Sequence, residues 1–175
     1  MSIGEICQKA EELAKLYNPE GLSPFPFEAI LKDRADLVII SSSTLDDSLS
    51  GAIVLEKEKY AIVINKNKIK TRQYFTTAHE LGHYFLHQDI LKENKVIIDG
   101  EVSLDGASIM YRADSHAYSN IETEANNFAA SLIMPEELIR KAWGEIKNIE
   151  KCADIFNVSV AAMAIRLERL NIFPD

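Results

Sequence analysis

The chain has 175 residues, 47% of them hydrophobic and 26% charged, with a formal net charge of −8 and two cysteines. That is one domain's worth of chain, long enough to bury a core. The acidic balance argues against a broad electrostatic footprint on nucleic acid or an anionic membrane. No apolar run approaches a membrane span, and two cysteines make no disulfide framework.

The opening residues Met1, Ser2, Ile3, Gly4 and Glu5 lack the basic and apolar segments of a signal peptide, so the expected location is the cytoplasm. Residues 3–17 read as an amphipathic helix, with Ile3, Ile6, Ala10, Leu13, Ala14 and Tyr17 recurring at three- and four-residue steps. Asn18, Pro19 and Gly21 end it, and a short helix is expected over 27–32. Residues 37–40, 51–55 and 60–65 are strand candidates, the last two forming an antiparallel hairpin around the charged turn 56–59. The 60–65 strand is the candidate edge on which an extended peptide could add a strand. A long helix from about 70 to 91 follows. From 92 to 120 the chain reads as irregular, apart from a short strand at 96–98 and turns at Gly100 and Gly106. Helical periodicity returns over 120–134. Pro135 then opens a helix to about Gly144, and two more are expected over 146–156 and 159–170, with Asn157 at the turn and Ser159 as N-cap. The expectation is a single α+β domain over 1–175: N-terminal helices (1–35), a mostly antiparallel sheet of three strands or slightly more (36–66), and the helices at 70–91, 120–134 and 135–171. Cys7 and Cys152 are expected to be buried thiols.

The chemistry concentrates in the long helix, where residues 79–83 read H-E-L-G-H. Positions i and i+4 share a helix face, so His79 and His83 can point at one metal ion. Glu80, rotated by about 100°, flanks the same place and can act as general base toward a metal-activated water. The flanking Phe75, Ala78, Leu81, Phe85 and Leu86 are core-forming residues, which fits a buried site rather than two histidines on a solvated face.

A catalytic zinc takes three protein ligands. His87 is excluded on a continuous helix, because eight residues from His79 cover about 12 Å of axis; it reads as structural or as a hydrogen-bond partner of a ligand. His116 could be a ligand, an oxyanion stabiliser or a surface residue. Glu122 and Glu124 remain. Glu122 is favoured because Asn126 follows it four residues later, where it could hydrogen-bond a ligand histidine. Glu124 points about 200° away from Glu122 and has no such partner in the sequence.

Residues 75–87 (FTTAHELGHYFLH), followed by 121–135 (IETEANNFAASLIMP), resemble the ImmA/IrrE family of metallopeptidases. Residues 152–170 also look like that family's terminal helices. The resemblance implies a zinc-dependent endopeptidase of the gluzincin type, with His79, His83 and Glu122 as ligands and Glu80 as base. Family members of this kind cleave repressors, inducing mobile-element, prophage or stress-response genes, so a repressor is the expected protein partner. Manganese or another divalent ion is the alternative metal. Tyr118, His116, Tyr111 and Arg112 are candidate oxyanion stabilisers, whereas Tyr84 is expected to pack. Two other readings stand beside this one. A non-catalytic module could bind a repressor without cutting it, although Glu80 would then have no task. The last two helices resemble a helix-turn-helix, with Arg166 and Arg169 able to meet phosphate, but Glu168 between them and the acidic chain favour a core-completing role. No oligomeric state is assigned.

Overall fold

The computed structural model describes the backbone of residues 1–100 and 115–172, and the side chains of 1–98 and 120–172. In chain order the elements are α1 (Ile3–Tyr17), α2 (Glu28–Asp33), β1 (Leu37–Ser42), β2 (Leu49–Glu56), β3 (Lys59–Asn65), α3 (Lys70–Leu86), α4 (Gln88–Asn94), β4 (Val96–Gly100), α5 (Ser115–Ile133), α6 (Glu136–Ile146), α7 (Ile149–Phe156) and α8 (Val160–Arg169). This is the expected α+β class. Among the described residues no helix is long and apolar enough to cross a membrane.

The sheet has four strands in the order β1-β3-β2-β4. β2 and β3 form the expected hairpin, Glu56 opposite Lys59, and β4 adds antiparallel to β2. β1 lies parallel to β3, making the sheet mixed. The 60–65 stretch is therefore an inner strand and the expectation that it forms an edge is corrected: both sides of its backbone are taken, one by β2 and one by β1, and among the described residues the edges are β1 and β4. The inner face carries Leu37, Ile53, Leu55, Tyr60, Ile62, Ile64 and Ile97, all in the core. The outer face is also apolar, with Val38, Ala61, Val54 and Val96 in one row across the strands.

α3 and α5 pack on each other and α1 packs on α5, while α3 also lies against β2 and β3. Two glycines allow these close approaches. A Cβ on Gly51 of β2 would stand 2.6 Å from Thr76 Cγ2 and 3.0 Å from the Val63 carbonyl oxygen. A Cβ on Gly82 of α3 would stand 3.0 Å from Ala125 Cα of α5. α1 starts with a capping box, Ser2 Oγ accepting from the Glu5 amide and Glu5 Oε2 accepting from the Ser2 amide.

Two helices depart furthest from expectation, while α2, α6 and α7 differ from it by one to three residues at an end. The 70–91 helix is two helices, because His87 leaves helical geometry at φ −120° and ψ 30°. The helix expected from 120 begins at Ser115. At the C-terminal end, Ser159 caps α8 by accepting from the Ala162 amide, and Asn157 takes the left-handed turn before it, φ 52°. Arg166 is buried, donating to the Met134 carbonyl, to Ser131 Oγ and to Glu11. Arg169 donates to Asn127 Oδ1. These guanidiniums tie α8 to α1 and α5. Cys152 is buried as expected, but Cys7 is only half-buried, and both thiols are free.

Candidate metal centre

α3 runs through the middle of the fold, so its residues 76–84 are buried on all sides. His79 and His83 lie one turn apart on the face toward α5, and their Nε2 atoms are 3.1 Å apart. α5 brings Glu122 to the same point: Oε2 lies 3.1 Å from His79 Nε2, and Oε1 lies 3.3 Å from His83 Nε2. One ligand atom from each of the three residues falls within 4.8 Å of the others. His79 and His83 are essentially inaccessible, whereas Glu122 keeps some contact with solvent.

The chemistry of this donor set fits a divalent metal. His79 Nδ1 lies 3.0 Å from Asn126 Oδ1, an oxygen that can only accept, so Nδ1 carries a ring proton and Nε2 is the atom that faces His83 and Glu122. Burial holds the His83 pKa down at about 4, with the attraction of Glu122 only partly opposing it, so the ring is neutral at physiological pH. For Glu122, burial pushes the pKa up, but hydrogen bonds with His79 and His83 outweigh it and bring the value down to about 2. Two imidazoles and one carboxylate form a donor set that zinc accepts. Bonds of about 2 Å in a tetrahedron put ligand atoms about 3.3 Å apart, close to the spacings of 3.1 and 3.3 Å seen here.

The other predicted residues divide. Asn126 contacts His79. His87 lies behind His83, its Nδ1 2.9 Å from His83 Nδ1, and its Nε2 is 3.0 Å from Glu124 Oε2. Glu124 thus has a partner, correcting the expectation that it had none; the contact joins α5 to the residue that ends α3, which spacing along α5 alone does not reveal. Burial lowers the His87 pKa, with Glu124 opposing. Glu80 is buried between α3 and β2, its Oε1 3.4 Å from the place a Gly51 Cβ would occupy. Tyr84 donates to the Asp36 carboxylate and packs edge-on against Tyr60. The side chains of His116 and Tyr118, and Tyr111 and Arg112 altogether, lie outside the described residues.

A helix bearing H-E-L-G-H, a second helix supplying a carboxylate and a mixed sheet alongside define a metallopeptidase-like domain. Comparison with known proteins makes the assignment specific. The profile of the IrrE N-terminal-like domain, a peptidase family, matches residues 32–168. Metallopeptidase ImmA of Bacillus subtilis (strain 168) is 31% identical over 120 residues, which is 67% of this chain and 61% of that protein. The chain belongs to the ImmA/IrrE-type metallopeptidase family. Its match spans about 61% of the length of that curated relative. A Mycobacterium tuberculosis transcriptional regulator shares the fold at a TM-score of 0.64 and 15% identity, over 94% of this chain and 47% of that one.

Proposed function

We propose that this domain is a zinc-dependent endopeptidase of the gluzincin type, with His79, His83 and Glu122 as metal ligands and Glu80 as general base. The observation that carries the reading is the convergence of His79 Nε2, His83 Nε2 and the Glu122 carboxylate on one point, with Glu80 on the same turn of α3. A divalent metal held there would supply Lewis-acid polarisation of the scissile carbonyl and would acidify the attacking water. Glu80 takes the proton from that water and returns it to the departing amine. Glu122 and the two neutral imidazoles bring a single negative charge, leaving the metal strongly electrophilic. Asn126 holds the His79 ring in the required tautomer. The expected substrate is a protein, a repressor of a mobile element, prophage or stress response in keeping with the family, met in the cytoplasm. Of the two edge strands, β4 contacts α3 directly and pairs with β2, so an extended substrate segment would add a strand there.

Two experiments test this. Elemental mass spectrometry on protein purified without added metal should find about one zinc per wild-type chain and far less in Glu122→Gln. Mapping new N-termini in cell extract should give a discrete set of cleavages with wild type and none with Glu80→Gln, although that variant keeps its zinc. Unchanged cleavage by Glu80→Gln would remove the general-base assignment.

A further inference from the structure

We propose that the exposed face of α8 is a self-association surface, on which a second copy of this chain packs its own α8 antiparallel about a two-fold axis. On α8 the side chains of Met163, Arg166 and Leu167 are buried, while Val160, Ala161, Ala164, Ile165 and Glu168 face solvent. Val160 is 46% exposed and Ile165 52%, and Ile155 on α7, which packs on α8, is 40% exposed. Large apolar side chains open to water on one helix pair form a patch of the kind that marks an interaction site. The pair has the outline of a helix-turn-helix, but its two arginines are committed inward, Arg166 to Met134, Ser131 and Glu11, and Arg169 to Asn127. The outward row from Val160 to Glu168 therefore presents apolar groups and one carboxylate, and no cation for a phosphate. Its chemistry fits protein.

The face is matched to itself. A two-fold axis between Ala162 and Met163 sets Ala161 level with Ala164 of the second copy, and Val160 level with Ile165 of the second copy. The alanines at the centre let the helix axes approach to the roughly 8 Å of close helix packing, and the valine and isoleucine of each copy close the flanks. In the same register Glu168 of the second copy comes level with Asn157, just ahead of the Ser159 cap. The first turn of α8 holds no acidic residue, so its positive end takes that carboxylate from the second copy. The two Glu168 side chains stand about 16 Å apart along the axes, since each residue adds about 1.5 Å, and that exceeds the screening length at physiological salt. Charge therefore favours the pairing at both ends of the helix. One helix of 10 residues offers less than the roughly 800 Å² per partner of a standard interface, so the dimer forms at micromolar concentration rather than permanently.

Sedimentation velocity on the full chain, from about 1 to about 200 µM so as to span the micromolar range, tests this. The mean mass of wild type should climb from that of a monomer toward that of a dimer, whereas Ile165→Glu and Val160→Glu should stay monomeric throughout. Both positions face solvent, so the urea midpoints of these variants should match wild type, which separates lost association from lost folding. Glu168→Lys sets a cation against the positive end of the facing helix and should weaken the dimer about threefold or more. Cysteines read the register in a Cys7→Ser background: a mixture of Ala161→Cys and Ala164→Cys should form the mixed disulfide faster than either variant forms its own. A wild type that stays monomeric at the highest concentration overturns the proposal, as does a dimer that survives both glutamate substitutions. Disulfides within each variant that outpace the mixed one overturn the antiparallel pairing. Duplex DNA bound by wild type at low salt and released by Ile165→Glu overturns the proposal too, because the face then belongs to nucleic acid.

Discussion

The contact between Gly82 and Ala125 makes the geometry of the site testable from outside its ligand set. A methyl group added at Gly82 would lie 3.0 Å from Ala125 Cα, 3.2 Å from its carbonyl oxygen and 3.3 Å from its Cβ. None of these atoms can swing aside as the tip of a long side chain could. Carbon atoms pack comfortably at about 3.5–4.0 Å, so Gly82→Ala requires α5 to retreat from α3 by about 0.5 Å at this point. Glu122 is three residues before Ala125, on the same face of α5, and moves with it. Metal sites tolerate ligand displacements of about 0.2 Å, so the shift carries Glu122 out of range of a shared ion. The effect on folding is smaller. Overpacking costs about 1–3 kcal/mol, and replacing a mid-helix glycine by alanine returns about 1 kcal/mol. The metal-free variant should therefore lose about 2 kcal/mol or less in urea melts, while its zinc affinity in chelator competition drops at least tenfold. A folded Gly82→Ala protein that binds zinc as wild type does would refute the claim that this helix contact sets the position of Glu122.

Three further outcomes follow from the same physics. Arg166→Met removes a buried guanidinium, taking a donor from the Met134 carbonyl and Ser131 and leaving Glu11 only the Glu136 amide, so it should cost about 2–4 kcal/mol in urea melts; a loss below about 0.5 kcal/mol would show that the network adds nothing. Tyr84→Phe removes the hydroxyl bonded to Asp36, which should cost about 1 kcal/mol and leave zinc content and cleavage unchanged; lost cleavage at full zinc content would return Tyr84 to the catalytic machinery. Acid should weaken the metal-free domain in two windows. As pH falls from 6.5 to about 4 the unfolded chain protonates His83 while the folded one does not. From 4.5 to about 2 the same holds for Glu122. Both groups have folded values below their unfolded ones, so stability is complete above pH 6.5 and declines steadily below it. Urea midpoints of chelator-treated protein that stay level from pH 7 to 4 would contradict this.

The burial of a short acid–base motif in the middle of a helix explains why so much of this site was legible in one dimension. His79, Glu80 and His83 owe their relation to helix periodicity, a property of the local chain. The same holds for Asn126 and Glu122 on α5, and for the ends of α1, α7 and α8, where Ser2, Asn157 and Ser159 supply caps and a left-handed turn. The hairpin of β2 and β3 was equally local, its turn lying between the strands it joins.

Tertiary packing decided the remainder. Nothing near residues 37–42 announces that β1 will pair parallel with β3 and make that strand internal, because parallel partners must come from separate parts of the chain. Glu124 seemed to face away from Glu122, yet α5 lies so close across Gly82 that a side chain well round the helix still meets His87. His87 itself ends α3 without a glycine or proline, while its ring is engaged by groups on two helices. By itself the sequence singled out the candidate residues of the site and the helices that hold them. Which strand lies at the edge and that Glu124 meets His87 were settled by packing, since those relations depend on distances between segments far apart in the chain.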